Sequence, residues 1–244
     1  MRSARVPTGR PGGRHLLRSK GLASSIVRDA GVGPGDLVVD IGAGSGMLTA
    51  PLLDAGANVV AIEPDRRLAS RLRHACPAAK VIEADARDVA WPREPFRVVA
   101  NLPFMLAADI CRLLFADPAL PLRSADVIVE WDFAAKRARL WPSTAQTVVW
   151  SAWYELAVVR RLPPWDFTPP PSVAAGVLRA RRRSQPLVDP RRAAEYEGFV
   201  RHGFRRDGAA RELDPHAWAR RFAGQESSAS ARTVTRMTRG GRAR

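Results

Sequence analysis

Cysteine is nearly missing from this chain: Cys76 and Cys111 are the only two, and they lie far apart. Two such thiols exclude a disulfide framework and a cysteine-based zinc site, and they fit a reducing compartment, so a cytoplasmic protein is expected. Histidine is also scarce, with four residues, and no spacing among His15, His74, His202 and His216 resembles a metal site. Long apolar runs are absent, and none approaches the ~20 residues that cross a bilayer, so no membrane partner is expected. Acids are missing from the first twenty residues, which carry only basic charge. That bias resembles a transit peptide, but Pro7, Gly9, Pro11, Gly12 and Gly13 break any amphipathic helix there. A flexible basic arm over residues 1–20 is the expectation.

What is present is arginine, unevenly placed. Of 39 basic side chains 36 are arginine, and the net charge is +15. Residues 1–35 carry 7 basic and 1 acidic side chain, residues 36–134 carry 10 and 14, and residues 135–244 carry 22 and 9. A base-composition bias explains arginine over lysine but not this segregation. An acidic middle with basic flanks points to a polyanion held by the flanks.

The densest signal is Leu37-Val38-Val39-Asp40-Ile41-Gly42-Ala43-Gly44-Ser45-Gly46. An apolar run carrying one acid predicts a central strand, and Gly-x-Gly-x-Gly predicts a tight strand-to-helix turn that brings bare backbone to a ligand. A dinucleotide fingerprint would place its last glycine one residue later, where Met47 stands. Glu63 closes the next apolar run, about twenty residues on, where an acid accepts from ribose hydroxyls. The combination favours a nucleoside without a pyrophosphate, and S-adenosylmethionine is the expected cofactor.

Around this centre strands and helices alternate. Strands are predicted at 37–41, 58–62, 80–83, 97–100 and 126–130. Helices are predicted at 21–30, 47–55, 66–74 and 106–115, with a further helical stretch from about residue 133. The runs 154–162 and 173–180, joined by the proline-rich 163–171, predict a β-hairpin. Repeated βα units predict a mostly parallel sheet with an antiparallel closure. A small basic helical region is expected over 184–225 and a disordered basic tail over 226–244.

A second motif, Asn101-Leu102-Pro103-Phe104, follows strand 97–100 directly and belongs at the carboxyl edge of the sheet, facing the glycine turn. Its chemistry suits methylation of an exocyclic amine, whose lone pair is delocalised into a planar base. Asn101 offers a carbonyl acceptor, and Pro103, lacking an N–H, leaves backbone carbonyls exposed nearby. Phe104 offers a flat apolar face. No acid–base pair is needed, because positioning and electrostatics can carry such a transfer.

These motifs resemble the ribosomal RNA adenine-N6 methyltransferases, and most of all the Erm family of macrolide-resistance enzymes. The resemblance runs from about Arg14 to Arg183 and includes Glu63-Pro64-Asp65, Ala84-Asp85, Val129-Glu130-Trp131-Asp132-Phe133-Ala134 and Phe167-Thr168-Pro169-Pro170-Pro171-Ser172-Val173. It implies a Rossmann-like class I methyltransferase domain over 21–183 and an adenine of 23S rRNA, protein-free or partly assembled, as substrate. It further implies that the backbone at Gly42 meets the cofactor, with Gly44 in the same turn, that Glu63 holds the ribose, and that Asp85 meets the cofactor's adenine. The family's N-terminal cofactor motif falls on Arg14-His15-Leu16-Leu17, which gives His15 and Leu17 that role. Phe104 and Phe167 would sandwich the extruded adenine. Arg181, Arg182 and Arg183 are expected to grip RNA phosphates. A monomer without a metal is expected. The rival readings are a small-subunit 16S rRNA dimethyltransferase and a non-catalytic nucleic-acid-binding relative.

Overall fold

The computed structural model describes residues 15–206 and 212–224 of the chain. In chain order the elements begin with β1 (Leu16–Leu17), α1 (Lys20–Ala30), β2 (Leu37–Ile41), α2 (Thr49–Asp54), β3 (Asn58–Ile62), α3 (Arg66–Ala75) and β4 (Lys80–Ile82). Then come β5 (Phe96–Asn101), α4 (Ala107–Phe115), β6 (Leu122–Glu130), α5 (Trp131–Arg137), α6 (Ala145–Ser151) and β7 (Tyr154–Leu162). The last are β8 (Phe167–Thr168), β9 (Ala175–Arg182), α7 (Ala193–Arg206) and a helix over residues 215–224, α8.

Seven strands form one sheet in the order β4-β3-β2-β5-β6-β9-β7. The five strands from β4 to β6 run parallel, and β9 pairs antiparallel with both β6 and β7. The parallel sheet and its antiparallel closure are those the sequence predicts. Strand β2 is covered on both faces, which is why Val38, Val39 and Ile41 run almost without a polar break. Helix α1 has clear ends: Ser19 accepts from the Leu22 N–H at 3.2 Å, and Gly31 closes it at φ 68°. Helix α3 starts where Asp65 accepts from the Arg67 and Leu68 N–H groups.

Three features differ from expectation. The basic arm gives way to structure early, because residues 15–20 belong to the fold, whereas residues 1–14 lie outside the described residues. The stretch after residue 133 is two short helices, not one: Pro142 lies in the break, and Thr144 caps the second by accepting from the Thr147 N–H. The basic helical region folds onto the sheet domain and shares its core. Tyr196 sits 6.1 Å from Trp153 and 5.2 Å from Phe222, ring centre to ring centre, and Trp218 is buried beside Phe199 and Phe204. The tail expected over 226–244 lies outside the described residues.

Candidate active site

The carboxyl ends of β2, β3 and β5 form one edge, and both sequence motifs meet there. After Ile41 the chain turns through Gly42 (φ 70°) and Gly44 (φ 58°), a left-handed conformation that side chains resist. The Gly42 and Ala43 N–H groups donate to the Ile62 carbonyl at 2.8 and 3.1 Å, which hooks the turn to the end of β3. A Cβ at Gly42 would lie 3.6 Å from the Pro103 ring and 3.8 Å from the Asn101 carbonyl oxygen. The glycine turn therefore packs directly against Asn101-Leu102-Pro103. Gly46 (φ 89°) serves packing instead, since a Cβ there would stand 2.8 Å from a Leu72 methyl carbon and 3.1 Å from the Cys76 sulfur. The close helix-to-turn approach thus comes from α3, a role that the early third glycine had hidden.

Two acids stand behind the turn. Glu63 is buried and accepts from the Gly44 N–H at 3.0 Å and the Asp65 N–H at 2.9 Å, one to each oxygen. It braces the turn, and a carboxylate has lone pairs for further donors such as ribose hydroxyls. Asp40 is buried too and accepts from the Thr49 hydroxyl at 2.7 Å. Burial, with the nearby Glu63 charge as a smaller contribution, pushes its carboxyl up to about 7. Asp85 is bound by Arg87, through its backbone N–H, Nε and Nη2 at 2.9, 2.9 and 2.7 Å, and these bonds hold its carboxyl below the usual range.

Asn101 ends β5, and its amide Nδ2 donates to the His15 carbonyl at 2.7 Å. That bond fixes the amide's orientation and leaves Oδ1 as the acceptor end. Leu102 is buried in the core, so only its backbone can serve the site; its N–H donates to Ile128 at 3.1 Å. The Pro103 carbonyl accepts from the Leu106 N–H at 2.9 Å, closing a short 3-10 turn that presents Phe104 half-buried. His15 lies over Phe104 at 5.3 Å between ring centres and bonds the Pro169 carbonyl through Nδ1 at 2.8 Å.

Sequence reasoning missed the short strand pair. Strand β1 lies antiparallel to β8, with Leu17 opposite Phe167, and the Arg18 N–H donates to the Asp166 carbonyl at 2.9 Å. Two residues are too few for any periodicity to signal. This pairing corrects the expectation for Phe167: it draws the ring into the core beside Leu17, Ala175 and Val177, with 0% of its surface exposed. Only Phe104 of the expected pair presents a face. Strand β1 also lies against the glycine turn, a Leu16 methyl carbon standing 3.4 Å from the Cβ position of Gly44. Leu16, Leu17, Asp40, Gly42, Met47 and Asn101 help enclose about 20 Å³ there. Strand β1 thus forms one wall of the space beside the glycine turn. A roomier cavity of about 460 Å³ lies beside β2–β4 and Trp91, lined by neither the glycine turn nor Asn101–Phe104.

The three arginines expected on RNA are structural. In the β6–β9 register Ala175 lies opposite Glu130 at the crevice edge, and Arg181 lies opposite Ser124 near the other end. That places them roughly 20 Å away at about 3.3 Å per residue. Arg181 donates to the Ala30 carbonyl, Arg183 to the Ser151 carbonyl and Glu155, and Arg182 to the carbonyls of Pro118, Leu120 and Leu122. Most of their partners are internal carbonyls, which a run of cations does not reveal.

The sheet order, the glycine turn braced by an acid at the next strand end, and Asn-Leu-Pro-Phe against that turn together define a class I S-adenosylmethionine-dependent methyltransferase. The residues fit the cofactor: positive-φ glycines bare the backbone, and the buried Glu63 at the next strand end has lone pairs for ribose hydroxyls. The chain belongs to the ribosomal RNA adenine dimethylase family, whose model matches residues 11–212. It is similar to the mycinamicin-resistance protein MyrB of Micromonospora griseorubida, 31% identical over 90% of this chain and 75% of that one. It is also 31% identical to an rRNA adenine N-6-methyltransferase of Bacteroides fragilis, over 77% of this chain and 71% of that one. Among solved structures, the 23S rRNA methyltransferase ErmE matches with a TM-score of 0.76 at 25% identity, covering 85% of this chain and 98% of that one. A dimethyladenosine transferase from Plasmodium falciparum shares the fold with a TM-score of 0.67 at 23% identity, over 79% of this chain and 71% of that one. The chain is thus an rRNA adenine-N6 methyltransferase with S-adenosylmethionine as its methyl donor.

Proposed function

We propose that the protein methylates the N6 amine of an adenine in the peptidyl-transferase loop of 23S rRNA and so confers resistance to macrolides, lincosamides and streptogramin B. The observation that carries the chemistry is Asn101, held by the His15 carbonyl and packed against Gly42. When bound, the cofactor supplies an electrophilic methyl on a sulfonium. Asn101 Oδ1 accepts one amine hydrogen and a backbone carbonyl of the Leu102–Pro103 segment accepts the other. These bonds pyramidalise the nitrogen and turn its lone pair out of the ring. Phe104 carries one face of the base, and the fixed acceptors stabilise positive charge as it grows on nitrogen; as the N–C bond forms the methyl's bond to sulfur breaks, and one amine proton is then lost to water. A paired adenine must first be unstacked at a cost of a few kcal/mol, so a loop is the favoured substrate.

The 23S target rests on the relatives. MyrB carries mycinamicin resistance in its name, and ErmE matches over nearly its whole length. The protein acts as a cytoplasmic monomer on RNA free of ribosomal proteins or partly assembled. The basic residues that precede His15 and the exposed arginines of the 184–225 region, Arg191 and Arg201 among them, grip phosphates. No helix of the described residues is long and apolar enough to cross a membrane.

The test combines two readouts. Unmodified 23S and 16S rRNA are incubated with labelled S-adenosylmethionine and mapped by primer extension, and the gene is expressed in a macrolide-susceptible bacterium. One modified adenine in the 23S loop, with raised resistance that Asn101→Ala abolishes, is expected. Label at adenines near the 3′ end of 16S rRNA, without resistance, would replace this target with the small-subunit one.

A further inference from the structure

We infer that Trp165 is a stacking platform for the base next to the target adenine, and so helps set which nucleotide neighbours the methylated position. The inference rests on the adenine-N6 reading above. Its starting point is exposure where burial is expected: Trp165 is 71% exposed, although tryptophan carries one of the largest apolar surfaces of any side chain. Among the described residues its ring meets no other aromatic ring.

The backbone beneath it is held firmly. Pro163 and Pro164 fix two φ angles before it, and the Asp166 N–H donates to the Pro163 carbonyl at 3.1 Å. On the far side the Asp166 carbonyl accepts from Arg18, and Phe167 is anchored in the core. A rigid mount with a free indole suits stacking, because little freedom remains to be lost on binding.

Its place in the fold supplies the partner. The segments 15–18, 101–105 and 163–169 converge at the crevice, joined through His15 to Asn101, His15 to Pro169 and Arg18 to Asp166. From His15, beside Phe104, to Arg18, beside Asp166, is three residues of extended chain, or roughly 10 Å. The backbone at Trp165 therefore lies about one nucleotide's reach from the face that receives the adenine. Met105, directly after Phe104 in the chain, is 80% exposed. The side chains of Arg18 and Lys20 are exposed along the connecting segment, where the phosphates flanking a stacked base would run. An aromatic ring beside a cation is the pattern that binds unpaired nucleotides. A bare apolar partner would match the indole but not the adjoining cations.

The experiment uses the full-length protein and stem-loop RNAs carrying one target adenine, with or without a base at each flanking nucleotide. Base–aromatic stacking strength predicts that Trp165→Ala raises KM for RNA roughly 5- to 150-fold, with kcat within about twofold. Trp165→Phe should recover most of the loss. For the wild type, removing the contacted neighbouring base should cost a similar factor, whereas Trp165→Ala should lose nothing more. S-adenosylhomocysteine affinity and melting temperature should stay unchanged, which separates this outcome from a folding defect. Equal KM for wild type and Trp165→Ala would overturn the inference, as would two losses that simply multiply. A defect seen on ribosomal-protein-containing particles but not on naked RNA would overturn it too, in favour of a protein contact. If the wild type methylates no rRNA adenine, the functional reading itself fails; if the wild type is active and only the tryptophan effects are missing, this inference alone fails.

Discussion

Arg182→Ala takes away a guanidinium that three backbone carbonyls share. Its Nε donates to Leu122 at 2.8 Å, both terminal nitrogens reach Pro118 at 3.1 Å, one also meets Leu120, and the group lies 5.4 Å over the Tyr154 ring. It ties the α4–β6 loop to the last residue of β9. Truncation leaves these carbonyls with water at best. A hydrogen bond to a charged group contributes about 1.5–3 kcal/mol, and partial rehydration of a half-buried site returns some of it. We expect a loss of ~2–4 kcal/mol, which for a chain of this size lowers Tm by roughly 4–16 °C. Urea denaturation should show a lower midpoint at an unchanged slope. Arg182→Lys keeps the charge but cannot span three acceptors, so it should recover only a minor part of the stability. The same variants, assayed below their melting range, should bind RNA with the wild-type dependence of log K on log salt. An unchanged midpoint together with a shallower salt dependence would refute the structural assignment and return Arg182 to the RNA interface.

Asn101→Ala should lower kcat about 10²–10³-fold, the usual cost of losing a charge-stabilising group in an active site, with a much smaller change in RNA affinity; methylation at the normal rate would sink the proposed chemistry. Asp40 has its carboxyl raised from 3.8 to about 7 in the folded state, so its contribution to stability is full below about pH 4 and lost as pH rises through about 7. The wild type should therefore lose up to roughly 4 kcal/mol relative to Asp40→Asn between pH 4 and 8, and parallel pH profiles of the two proteins would contradict this. Gly46→Ala combines a disfavoured φ with a clash against Leu72, and should cost ~2–4 kcal/mol in thermal unfolding; a Tm within a degree of wild type would show that α3 yields freely.

What could be read in the sequence was local. The run Leu37–Ile41 announces a buried strand through composition alone, and the glycines after it announce a turn that other residues resist. Asn101-Leu102-Pro103-Phe104 was legible because strand ends in a parallel sheet share one edge. The misreadings involve partners distant in sequence. Phe167 sits in a proline-rich connector and reads as exposed, yet Leu17, paired across the sheet with it, decides its burial. Arg181-Arg182-Arg183 reads as a surface cluster until the carbonyls of residues 30, 118–122 and 151 are brought beneath it. The anchor of Asn101 is a main-chain oxygen at position 15, so no residue type there could have signalled it.

The pairing of β1 with β8 also carries a consequence for biogenesis. His15 and Pro169 are 154 positions apart, yet each needs the other to close the crevice. On a translating ribosome, at about 5–20 residues per second, roughly 8–30 s pass between synthesis of the two. Until Phe167 and Thr168 are made β1 has no strand to pair with, so the cover over the glycine turn is completed only near the end of the sheet's synthesis.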